Sequence, residues 1–101
     1  MREITHFIGG QAVRGASGRF SDVFNPSTGQ VQARAPLASD AEVNACVANA
    51  VAAQIGWAAT NPQRRARVMF EFKRLLERDL QSLAELLSSE HGKVVADSKG
   101  D

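Results

Sequence analysis

The stretch from Asn61 to Gly92 constrains this chain more than any other. Placed on a helix, Met69, Phe72, Leu76, Leu80, Leu83 and Leu87 fall on one stripe. Their spacings of three and four residues are the step of a helix face turned to a core. Val68, Leu75 and Leu86 widen one flank of the stripe, and Ala66 and Ala84 the other. The opposite face carries Arg67, Glu71, Arg74, Arg78, Gln81, Ser82, Glu85 and Ser89. Asn61 can cap the first turn, and Pro62 suits the first helical position, where its missing N–H has no partner to lose. Gly92 can take the left-handed conformation that stops a helix. The pattern predicts one long helix over 61–91. Six large side chains, fully buried, would contribute on the order of 10–15 kcal/mol of transfer free energy. That requires a broad partner surface, and the rest of the chain offers a thin one.

The chain has 101 residues, which fits one domain at most, and a small chain buries a limited share of its surface. Its formal net charge of +1 gives no electrostatic case for nucleic acid or an anionic membrane as partner. No apolar run is long enough to cross a bilayer. Met1 to His6 lacks an apolar signal core, and Glu3 argues against an arginine-rich transit peptide. A single cysteine, Cys46, excludes an internal disulfide framework. A cytoplasmic protein is expected.

Residues 1–37 read as strands and turns. Thr5–Ile8 and Gln11–Val13 flank Gly9-Gly10, which suits a two-residue hairpin because such turns need positive φ. Arg14 to Gly18 is a loop, Arg19–Phe24 a second strand, and Asn25-Pro26-Ser27-Thr28-Gly29 a tight turn. Val31, Ala33 and Ala35 alternate with Gln32 and Arg34 in a third strand. Ser39-Asp40-Ala41-Glu42 is a capping box that opens a first helix over 39–57. Val43, Cys46, Val47, Ala50 and Trp57 share one face of it. Residues 93–101 look like the start of a third helix. Taken alone, this order of elements is α+β.

The groups that could carry chemistry are few. Cys46 sits on the apolar face of an alanine-rich helix with no histidine near it in sequence, so a buried structural thiol is the better reading. His6 and His91 have no second ligand at metal spacing. His91 falls in the last helical turn, where an imidazole can meet the final carbonyls. Gly92-Lys93 resembles the end of a phosphate loop but lacks the earlier glycine and the following Ser or Thr. Arg64, Arg65, Arg67, Arg74 and Arg78 could grip phosphate. However, acidic residues are interleaved with them, Arg67 and Glu71 have the spacing of a surface pair, and no aromatic residue on the polar face can stack a base. These residues alone make no catalytic constellation, no cofactor site and no metal site.

Several segments in order carry a family likeness. They are Phe7-Ile8-Gly9-Gly10, Phe24-Asn25-Pro26-Ser27-Thr28-Gly29, Ala35-Pro36-Leu37-Ala38, Trp57-Ala58-Ala59-Thr60, Arg64-Arg65-Ala66-Arg67-Val68 and Glu90-His91-Gly92-Lys93. With them the chain resembles, from end to end, the N-terminal region of the aldehyde dehydrogenase superfamily. Ala96-Asp97 and Gly100-Asp101 add a likeness to its CoA-acylating methylmalonate-semialdehyde dehydrogenase branch. Gln54 and Ile55 depart from the family, which often has Phe and Pro there.

The resemblance implies a piece of the α/β, Rossmann-like, cofactor-binding domain of such an enzyme. It implies NAD-dependent oxidation of a semialdehyde through a cysteine thioester, with CoA receiving the acyl group and decarboxylation accompanying turnover. It implies a homo-oligomer whose helices here pack on the rest of the dehydrogenase chain. The family's nucleophilic cysteine, oxyanion asparagine, general-base glutamate and Asn-Phe-Pro cofactor stretch match nothing in this sequence, and Cys46 does not match that nucleophile. The chain alone is therefore expected to be inactive. The competing expectation is a stand-alone helical module that binds a partner or itself through the Met69–Leu87 stripe.

Overall fold

Two glycines set the first folded feature. Gly9 and Gly10 have φ of 61° and 78°, and between them they turn β2 (His6–Ile8) back onto β3 (Gln11–Val13). The strands are antiparallel, with His6 opposite Val13, Phe7 opposite Ala12 and Ile8 opposite Gln11. A type I′ turn, whose handedness matches strand twist, needs positive φ at both central residues. The computed structural model describes all of residues 1–101, in two units: 1–23 with 31–59, and 24–30 with 60–101.

The first unit holds a second, three-stranded sheet in the order β1-β5-β4. Its centre is β5 (Val31–Pro36), flanked by β4 (Phe20–Phe24) and by β1 (Arg2–Glu3). β1 runs parallel to β5, with Arg2 opposite Ala33 and Glu3 opposite Arg34, and the Ile4 N–H donates to the Arg34 carbonyl at 2.8 Å. The sequence reading counts three short strands and leaves Arg2–Glu3 out. Two charged residues carry no apolar alternation, and only main-chain pairing to β5 makes them a strand. Ala33, in the central strand, is fully buried, and the Arg34 guanidinium lies over the Phe20 ring at 4.2 Å.

Residues 14–19 link β3 to β4 through a crowded loop. The Arg14 guanidinium grips both carboxylate oxygens of Glu3 at 3.0 and 3.1 Å. The Ser17 hydroxyl donates to the Leu37 carbonyl and accepts from the Arg19 N–H. Gly15 passes so close to β5 that a Cβ there would lie 2.6 Å from Pro36 Cβ and 3.4 Å from His6 Nε2. Helix α1 (Asp40–Ala59) follows, two residues longer at its end than the expected 39–57, and none of its residues is buried.

In the second unit, residues 24–30 close as expected. Asn25 Oδ1 accepts from the Ser27 N–H at 2.9 Å, the Asn25 carbonyl accepts from Gly29 N–H at 2.8 Å, and Gly29 has φ of 74°. Asn61 caps α2 (Pro62–Arg78) by accepting from the Gln63 N–H at 2.7 Å, with Pro62 at the first position. Gly92, at φ 91°, ends α3 (Leu80–His91) with its N–H on the Ser88 carbonyl.

The single long helix expected over 61–91 is broken. Asp79, at φ −103° and ψ 16°, lies outside helical geometry and separates α2 from α3. Aspartate is a weak helix former. Here the Arg78 guanidinium holds the Asp79 carboxylate at 2.9 and 3.1 Å, and the Ser82 hydroxyl takes the Asp79 carbonyl at 3.0 Å. The side chain and carbonyl thus gain partners that favour a kink. The expected third helix is the short α4 (Val95–Lys99), which packs on α3 with a bond between the Ser88 and Ser98 hydroxyls at 2.7 Å. Lys93 pairs with the Asp101 carboxylate. Ala84 and Ser98 are the buried residues of this unit.

Adding a methyl at the crowded loop tests how rigid that loop is. Gly15→Ala is expected to cost about 1–3 kcal/mol, because Pro36 is ring-locked and cannot give way. Urea unfolding followed by circular dichroism measures it, and a cost near zero would show that the loop yields.

Candidate functional site

The first unit contains a cleft of about 250 Å³ between β2 and the start of α1. His6, Phe7 and Ile8 line it from the strand, and Glu42, Val43, Cys46 and Val47 from the helix. The helical residues are two pairs at i, i+4 spacing, so the first two turns of α1 turn one side to the cleft. Its polar groups are His6, Glu42 and the half-buried Cys46.

Glu42 is the best-held side chain of the unit. Its Oε1 accepts from the Ser39 N–H at 3.0 Å, and its own N–H donates to Ser39 Oγ at 3.2 Å, so the capping box forms on both sides. Its Oε2 accepts from the Ala16 N–H at 3.0 Å, and His6 Nε2 stands 3.4 Å from the same oxygen. These donors stabilise the anion. The Ser39 main-chain bond is the largest cause, the Ala16 bond the next, and together they hold the carboxyl below its ordinary value of 4.5 against an opposing effect of burial. His6 contributes a smaller attraction. His6 Nε2 is enclosed and makes no hydrogen bond of good geometry, and it is held beside the Glu42 carboxylate by proximity alone.

The sequence separates His6 from Cys46 by some forty positions, and the fold brings both to one cleft. The thiol is half-buried rather than buried as the sequence suggests. No spacing rule could have found this cluster, although the i, i+4 step from Glu42 to Cys46 was visible. Chemically the cluster is a structural tie. The carboxylate oxygens are committed to main-chain donors, which leaves no free carboxylate base beside the thiol.

The remaining candidates lie in the second unit. His91 is exposed as the last residue of α3, and Lys93 is taken by Asp101. Glu71, expected to meet Arg67, instead takes Arg74 in a two-pronged bond at 2.6 and 3.0 Å. The i, i+3 partner presents its planar fork to both oxygens at once. Lys73 pairs with Glu77 at 3.5 Å, and Arg78 with Asp79 at 2.9 Å. Arg67 lines a shallow groove with Val68, Glu71, Phe72 and Leu75. No group of three or more His, Cys, Asp or Glu side chains stands close enough to hold a metal ion. No helix is long and apolar enough to cross a membrane.

Known proteins match this chain along its length. Residues 13–101 match the profile of the aldehyde dehydrogenase family. The malonate-semialdehyde dehydrogenase of Pseudomonas aeruginosa is 40% identical over 101 residues, which is all of this chain and 20% of that protein. The human mitochondrial acylating methylmalonate-semialdehyde/malonate-semialdehyde dehydrogenase is 37% identical over 95 residues, 94% of this chain and 18% of that protein. A crystal structure of a Sinorhizobium meliloti protein assigned as a methylmalonate-semialdehyde dehydrogenase, in complex with NAD, superposes with a TM-score of 0.96 at 57% identity. The superposition covers 99% of this chain and 20% of that one. The chain thus spans about one fifth of the length of the relatives it matches.

The lowered Glu42 value makes a pH test. A carboxyl depressed in the folded state adds stability that is fully present above its unfolded value and is lost as pH falls through the native one. Glu42→Gln should therefore unfold at lower urea than the parent chain at pH 7. The two midpoints should converge as pH drops below 4.5. A gap that persists undiminished at pH 3 would assign the loss to packing rather than to the charge.

Proposed function

Because the chain belongs to the aldehyde dehydrogenase family, we propose that it is the N-terminal part of an NAD-dependent, CoA-acylating (methyl)malonate-semialdehyde dehydrogenase. The observation that carries this reading is its end-to-end match to one fifth of such relatives, at 40% identity to the Pseudomonas protein and 57% to the NAD-bound Sinorhizobium one. In this reading residues 1–101 supply a scaffold segment. The oxidation, the thioester and the transfer to CoA belong to the rest of the enzyme.

The geometry of the cleft agrees with that division. NAD and CoA both present pyrophosphate, which calls for main-chain N–H groups or cations. The cleft instead offers apolar walls, one imidazole, His6, and the Glu42 carboxylate, which already accepts from the Ser39 and Ala16 N–H groups and would repel a phosphate. It fits neither cofactor, so no catalytic step is assigned to residues of this chain. Cys46, on a half-buried helical face beside that carboxylate, takes the part of a packing residue.

A second reading has one observation in its favour. Met69, Phe72, Leu76, Leu80 and Leu83 all remain exposed. A stand-alone module that pairs through this stripe would cover them, and light scattering of the purified chain would then give a discrete oligomer.

The enzyme reading is tested with a chimera in which this chain replaces the matching fifth of the Sinorhizobium meliloti relative. The isolated chain should form no NADH from malonate semialdehyde, NAD and CoA, while the chimera should form it with CoA as acyl acceptor. A soluble chimera that forms no NADH, or NADH formed by the isolated chain, would overturn the assignment.

A further inference from the structure

We draw no further inference here: the strongest candidate, the cleft between β2 and the start of α1 where His6, Glu42 and Cys46 meet, belongs to the site already described, and nothing else in the structure points to a ligand for its lone thiol.

Discussion

The first unit hangs on one carboxylate. Glu42 belongs to α1, yet its oxygens reach Ser39 in the turn before the helix, Ala16 in the loop after β3, and the neighbourhood of His6 on β2. Four segments with little apolar surface in common are thereby fixed to each other. Such a device suits a unit whose buried hydrophobic core is Ala33. Where few side chains are removed from water, directional polar bonds have to specify what packing does not. The same choice explains why the polar groups of the cleft look like a catalytic cluster and serve as a fastening.

Local chemistry was legible in the sequence and long-range chemistry was not. The Ser39–Glu42 box, the Asn61-Pro62 start, the Gly92 stop and the Asn25–Gly29 turn depend on residues at most four apart, and all of them form as read. The β1 strand was illegible because Arg2 and Glu3 gain their conformation from Ala33 and Arg34. The kink at Asp79 was hidden for a related reason. The apolar stripe continues past it without interruption, and periodicity does not register a single residue whose side chain and carbonyl are held by Arg78 and Ser82 beside it. Gly15 read as an ordinary loop glycine, and its constraint becomes visible only against Pro36. The gathering of His6, Glu42 and Cys46 needs the hairpin and the helix in place together.

Under the dehydrogenase reading proposed above, the uncovered apolar surface is what one segment of a longer chain would present. Neither α1 nor α2 contains a buried residue, although α1 carries Val43, Val47, Val51, Ile55 and Trp57 and α2 carries Val68, Met69, Phe72, Leu75 and Leu76. Past Glu42, α1 has no charged residue up to its end at Ala59. Helices patterned in this way are normally enclosed by other elements. The relatives are about five times as long as the part that this chain matches.

The interleaving of the two units has a bearing on the order of folding. Residues 24–30 lie between strands of the first unit, yet they belong with 60–101, and a Cβ at Gly92 would come within 3.0 Å of the Pro26 ring. The hairpin of β2 and β3 can close as soon as it leaves the ribosome. The turn at Asn25–Gly29 has to wait for α3 to be made before its tertiary neighbour exists. Bringing Pro26 to Gly92 closes a loop of most of the chain, a step whose entropy is lost before its contacts form. Synthesis therefore proceeds with the tight turn already shaped, holding its place as a latch whose catch is made only later.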